Sequence, residues 1–343
     1  MEIDYIEKEI NLVFDEPSHT YTNGDTGEKF TSVTTVIGKY EEKFNGDYWG
    51  MYTALKNAGL RVRPDNNKQY IHVNNIKTSL SSLYSNSLYA ELVSKTKEGW
   101  KETTIKSHIR GNKIHNELED NINLSKEDYT GKTNDLIQPL RDRAKTTGLV
   151  IFETKHDLDK TDLGDTYPEI YKCLLEFINQ GCTLIAEKKI YTSKYMIAGM
   201  IDVLVVKGKK FAIVDWKTNK DELKFISGYY KKVKEGDVWV KGTEFIQRDD
   251  RLKYPIDNLQ KCKGIIYSLQ LSLYAYIMEL WGYKLINNGL MIFHIRPRRK
   301  PLRIPIQYYK GDVGRMLEHH KKIRVDKKEE SKTDKGFLGL GVF

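Results

Sequence analysis

The chain has 343 residues, 39 % hydrophobic and 30 % charged, with a mean hydropathy of −0.57; that allows one large domain or two modest ones, and no apolar run approaches the roughly 18 residues a membrane helix needs. A net charge of +9 and a pI near 9.0 favour an anionic partner such as nucleic acid, and 22 Tyr offer aromatic faces on which single-stranded bases can stack. Cys173, Cys182 and Cys262 show no CxxC spacing, which argues against zinc and iron–sulfur sites and fits a reducing compartment. The acidic start, Met1–Ile10, lacks the apolar core of a signal peptide, so a cytoplasmic location is expected.

In chain order, residues 1–40 read as N-terminal strands. Asn11–Phe14 and His19–Thr22 flank turn residues, and Asn23-Gly24 is a hairpin signal. Thr31–Gly38 is a Ser/Thr-rich run leading into a helix, its hydroxyls placed as caps. Residues 41–110 are polar and partly basic. They read as a helical insertion or cap, with an exposed loop at Asp65–Asn75 and helical apolar spacing over Ser79–Lys95. Such a cap could thread a single strand. Next, Gly111, His115 and Glu119 fall four residues apart on one helix face. Glycine permits close approach of another backbone, and imidazole is a competent metal ligand. A lone His on an amphipathic helix is also read, more plainly, as solvent-facing.

Thr133–Thr147 continues the helical pattern, and Leu149–Thr154 reads as a strand. Pro168–Gln180 is a helix with Pro in its first turn and Gly181 as its stop. The strand Thr183–Tyr191 carries Glu187, either a site acid or a partner of Lys188 or Lys189. Then comes Ile197–Thr218, where the apolar runs Met200–Val206 and Phe211–Val214 flank the turn Lys207–Lys210. That is a β-hairpin with an acid on each arm, Asp202 and Asp215. Lys217 lies two residues past Asp215, so both project to one face. Two acids and a lysine at the end of apolar strands suit a divalent cation, because hard cations take oxygen ligands.

Asn219–Lys263 is long and polar, including Tyr229–Lys232 and Gln247–Arg251; it reads as a substrate-handling loop or a solvated insertion. Gly264–Trp281 is an apolar helix on which Gln270, Tyr274 and Met278 share a face. A buried Gln there needs a hydrogen-bond partner. Gly289–Arg296 and Leu302–Tyr308 read as a terminal strand pair. Between them, Arg296-Pro297-Arg298-Arg299-Lys300 is a basic turn, suited to phosphates or to solvent. Asp312–Arg324 is a last helix, Val325–Lys335 a charged linker, and Gly336–Phe343 an apolar tail. The tail packs on the core or, less readily, docks a replication or recombination protein. There is no internal repeat.

Taken in order, Ser32-Val33-Thr34, Gly111/His115/Glu119, Glu187, Asp202, Asp215-Trp216-Lys217 and Gln270/Tyr274 resemble the PD-(D/E)xK nuclease superfamily. The wording is most similar to the RecB-like exonuclease branch, which includes phage exonucleases and the mitochondrial genome maintenance exonucleases. The resemblance covers residues 30–310. It implies an α/β fold: a restriction-endonuclease-like core over residues 111–324, with a mixed central sheet flanked by helices, plus the helical insertion. It implies metal-dependent hydrolysis of DNA phosphodiesters by an exonuclease, expected on single-stranded ends, in phage or replication and recombination DNA processing. If phage-encoded, the protein would work in the bacterial host cytoplasm.

By the same resemblance, His115, Asp202, Asp215 and the carbonyl of Trp216 hold Mg²⁺ or Mn²⁺. Glu187 contributes directly or through water, Lys217 orients a water and offsets charge, and Gln270 and Tyr274 position the DNA backbone. Ser32 and Thr34 lie near nucleic acid, and Arg110, Arg296, Arg298 and Arg299 are the candidate phosphate contacts. Some members carry a four-Cys iron–sulfur cluster or a helicase. Three Cys and no Walker motif point to a free-standing nuclease without a cluster. The sharpest departure from the pattern is the long spacer between Lys217 and Gln270. Two other readings stay open: a structure-selective endonuclease, and a non-catalytic DNA-binding or virion protein that keeps the fold.

Overall fold

The computed structural model describes residues 12–15, 18, 20–123, 150–236 and 238–337, without the side chains of residues 115, 116, 119–123, 150, 238, 239 and 327–337. The helix expected over Thr133–Thr147 and most of the apolar tail lie outside these residues. The described residues begin with an antiparallel meander of β1 (Leu12–Asp15), β2 (Thr20–Asn23) and β3 (Lys29–Ser32). Ser32 then caps α1 (Val33–Gly38), its hydroxyl accepting the Thr35 amide. Val33, Val36 and Ile37 turn inward at the i, i+3, i+4 spacing of an amphipathic helix.

Residues 42–114 form a compact unit of their own. It contains α2 (Gly46–Asn57), β4 (Val62–Pro64), β5 (Tyr70–Val73), β6 (Ile76–Ser79), α3 (Leu80–Tyr84) and most of α4 (Ser87–Asn123). The three strands make an antiparallel sheet. Tyr48, Met51, Leu55, Ile71, Leu83 and Val93 form its core. The stretch read as helical is therefore mixed, and the loop expected at Asp65–Asn75 holds β5. That strand buries a single residue, Ile71, too little apolar alternation to register among its polar neighbours. Asn74 and Asn75, with φ of 48° and 71°, make the turn into β6.

The second unit joins residues 1–41 to residues 115–343. Its remaining elements are β7 (Val150–Phe152), α5 (Lys155–Asp159), α6 (Leu163–Thr166), α7 (Pro168–Asn179), β8 (Thr183–Thr192), β9 (Ile197–Lys207), β10 (Lys210–Lys217), β11 (Gly228–Glu235), β12 (Val238–Gln247), α8 (Lys263–Leu280), β13 (Lys284–His294), β14 (Leu302–Pro305) and α9 (Lys310–Phe337). A nine-stranded sheet runs β1-β2-β3-β9-β10-β13-β14, with β8 also on β9 and β7 on β8. It is mixed: β3–β9 and β10–β13 are parallel, the other pairs antiparallel. One face packs under α8, α1 and α9 in a core that includes Ile185, Leu204, Ile213, Ile292, Leu269, Leu273 and Leu317. Helix α7 lies on the other face, where the Cys173 thiol meets the Met291 sulfur. The fold is thus α/β, a mixed sheet flanked by helices.

Two stretches differ from their expected form. Asn219–Lys263 carries the β11–β12 hairpin, a two-stranded sheet of its own. The charged linker expected over Val325–Lys335 is helical, because α9 runs to Phe337. Its Lys/Glu-rich run is made of good helix formers, with no glycine before Gly336. Among the described residues no helix is long and apolar enough to cross a membrane.

Candidate functional site

Three acids fall into one row across the sheet. β8 and β9 pair through Ala186↔Val203 and Lys188↔Ile201, which sets Glu187 opposite Asp202. β9 and β10 pair down to Val203↔Val214, which sets Asp215 beside Asp202 on the other side. The Trp216 amide donates to Asp202 Oδ2 at 2.8 Å, locking that carboxylate against β10. Asp202 is 9 % exposed and Asp215 1 %. Two buried carboxylates side by side are expensive without cationic compensation.

Lys217 supplies part of that compensation. Its Nζ lies 2.5 Å from Asp215 Oδ2. Burial pulls its pKa down, but Asp215 and then Asp202 push it up by more, so the ammonium is held charged. Glu187 adopts φ +46°, a left-handed conformation that costs a non-glycine residue about 1–2 kcal/mol. Strain of this kind persists only where the surrounding packing holds it. The neighbouring Lys188 is itself buried.

Gln270 and Tyr274 come to the same place. The Gln270 amide donates to Tyr274 Oη at 3.0 Å, so the polar residue on this apolar helix has its partner. Burial first, then Asp215, drives the Tyr274 phenol well above its ordinary pKa, which keeps its hydroxyl proton in place. Gly199 makes room for that ring: a Cβ there would lie 2.6 Å from Tyr274 Cε1 and 3.2 Å from Val33 Cγ2. The glycine three residues before Asp202 is therefore a packing requirement.

Four further residues belong to the site and escaped the sequence reading. Tyr21 on β2 has its phenol raised by burial, then by the nearby charges of Glu187 and Asp202. Tyr267 lies under Lys217, with Nζ 4.9 Å from the ring centroid. Its hydroxyl donates to Asn219 Oδ1 at 2.8 Å. His294 Nε2 donates to the Asn219 carbonyl at 3.0 Å, and burial holds His294 below its ordinary pKa, hence neutral. Its Nδ1 is buried without a hydrogen-bond partner. Tyr267 was within reach of the sequence, since it shares the face of Gln270 and Tyr274 at i, i+3, i+7.

The remaining candidates divide. Ser32 Oγ serves the cap of α1 and also meets Thr34 Oγ1 at 3.1 Å. Ser32 pairs with Ala198, four residues before Asp202. The Trp216 ring faces away from the acids, toward Phe293. β13 runs parallel to β10 with Lys217 beside His294, so the turn holding Arg296, Arg298 and Arg299 follows at the same end of the sheet as Lys217. Arg298 and Arg299 are exposed and Arg296 half-buried. Arg110 lies on α4 within the separate unit of residues 42–114. His115 and Glu119 lie on α4, but their side chains are outside the described residues. Among the described residues no three His, Cys, Asp or Glu side chains already converge as an ion cage. No protein-family model matches the chain, and neither a curated protein nor a solved structure is detectably similar to it.

Proposed function

We propose that the chain is a divalent-metal-dependent deoxyribonuclease of the PD-(D/E)xK type, RecB-like in its motif order, acting on single-stranded DNA ends. The observation that carries this reading is the in-register row Glu187, Asp202, Asp215 with Lys217 ion-paired at its end. The donor chemistry fits a hard cation: carboxylate oxygens on adjacent strands, two of the three carboxylates buried. Asp202 and Asp215 would hold Mg²⁺ or Mn²⁺ with help from Glu187; the family resemblance adds His115 and the Trp216 carbonyl. When bound, such an ion supplies Lewis-acid polarisation of a phosphoryl oxygen.

The chain's own groups do the rest. The Trp216 amide fixes the Asp202 carboxylate. Lys217, propped by the Tyr267 ring, offsets charge on the phosphate being attacked. Tyr274, steadied by Gln270, keeps a hydroxyl donor available for the DNA backbone. The arginines of the turn at 296–299 bind flanking phosphates.

The test is a gel assay on end-labelled linear and circular single-stranded DNA, with and without Mg²⁺ or Mn²⁺. Degradation of the linear strand is expected only with metal, and Asp215→Ala is expected to abolish it while the circular dichroism spectrum stays native. Full activity of that variant would overturn the site. Equal cutting of closed circles would make the enzyme an endonuclease.

A further inference from the structure

The β11–β12 hairpin leaves the main sheet and closes over the start of α8, enclosing a cleft of about 570 Å³. We propose that this cleft is a second binding site, a seat for a segment of single-stranded nucleic acid. It adds to the carboxylate row a place that grips the strand away from the reacting phosphate.

Its walls combine aromatic faces with ammonium groups. Tyr230 and Phe245 stand directly opposite each other on the two strands, their rings edge to face at 5.2 Å. Tyr229 is 46 % exposed and carries the Arg248 guanidinium 4.6 Å from its ring centroid. Among the lysines of the cleft, Lys241 and Lys224 are held by Asp221 and Glu222, both at 2.7 Å. Lys241 also lies 3.9 Å from the Tyr230 ring centroid. Lys232 and Lys263 have no ion-pair partner among the described residues, so their charges are available to phosphates.

An exposed Tyr229 and half-buried Tyr230 and Phe245, interleaved with unpaired lysines, suit a strand whose bases are splayed out, since every base has a face to stack. The cleft is also continuous in sequence with the candidate site: Asp221 comes four residues after Lys217, and Ile266, on its wall, precedes Tyr267. A single strand lying along Asn219–Glu222 would thus reach both.

The test is fluorescence anisotropy of a labelled oligothymidylate with the full chain in Ca²⁺, across a salt series. Tyr229→Ala is expected to weaken binding about tenfold. Lys232→Gln is expected to lower the slope of log affinity against log salt by about 0.7. Lys172→Gln, on α7 at the opposite face of the sheet, is expected to change neither, and thermal melting of all three should match the wild type. Absence of wild-type binding, or binding that ignores both cleft substitutions, overturns the proposal. A chain that cleaves nothing but shows both losses keeps the cleft and loses the nuclease reading. A chain that cleaves DNA while both variants bind like the wild type keeps the reaction and loses the cleft.

Discussion

At the scale of single residues, Gly199 shows how tightly the row of acids is tied to its surroundings. A Cβ there would meet Tyr274 Cε1 at 2.6 Å and Val33 Cγ2 at 3.2 Å. Neither partner is the free end of a flexible side chain, since Tyr274 is 4 % and Val33 1 % exposed. Gly199→Ala is therefore expected to cost about 1–3 kcal/mol by overpacking and to displace the Tyr274 ring from Asp202 and Asp215. Urea unfolding measures the first effect, and the cleavage assay the second. A variant as stable and active as the wild type would show that ring to be freer than its packing implies. The acid-x-Lys spacing of Asp215 and Lys217 was legible because side-chain alternation in a strand is fixed. The support beneath them was not. Tyr267 shares the helix face of Gln270 and Tyr274, but nothing in the sequence ties it to Lys217; His294 is a lone polar residue at the end of an apolar run, and the left-handed turn at Glu187 has no glycine to announce it.

At the scale of elements, periodicity carried most of the secondary structure. The strand pairs around β9 and β10 and the helix α8 have long apolar runs, which no competing pattern obscures. The β11–β12 hairpin lacked such a signal: Tyr229-Tyr230-Lys231-Lys232 does not alternate, and its register shifts between Tyr230 and Lys232, so neither strand shows period two. Helix α9 gives an element-level prediction. Its inner stripe is Val313, Met316, Leu317 and His320, and Lys39 Nζ lies 3.2 Å from His320 Nδ1. Burial first, then Lys39, Arg324 and His319, depresses the His320 pKa to about 4. An unfolded His titrates near 6.5. As the pH falls from about 6.5 to 4, the unfolded chain takes up a proton that the folded chain refuses, so stability falls. Below pH 4 both states are protonated and this loss stops growing. From pH 7 to pH 5 the wild type is expected to lose about 2 kcal/mol more than His320→Gln. Urea midpoints at the two pH values check this; parallel losses in both proteins would mean that His320 titrates alike in the folded and unfolded chain.

At the scale of the whole molecule, the larger unit is discontinuous in sequence. β3 pairs in parallel with β9, so Thr31 and Ser32 join Ile197 and Ala198 across nearly half the chain, and no local pattern announces such a contact. The unit of residues 42–114 is the opposite case. Every residue of its core, from Tyr48 to Val93, comes from within it. Its strands pair only with one another. Its polar anchor is internal too, with Asp65 meeting His72 at 2.9 Å and Lys77 at 3.2 Å, and Lys68 over the rings of Tyr48 and Trp49. A segment of this length buries enough surface to be marginally stable alone. Residues 42–114 expressed by themselves are therefore expected to fold, giving mixed helix and strand by circular dichroism and a cooperative melt. Leu55→Ala, in the middle of that core, should destabilise the fragment by about 2–5 kcal/mol, as a cavity of this kind does, and lower its melting temperature accordingly. A fragment that shows no cooperative transition, with or without the substitution, would mean that its core is completed only in the full chain.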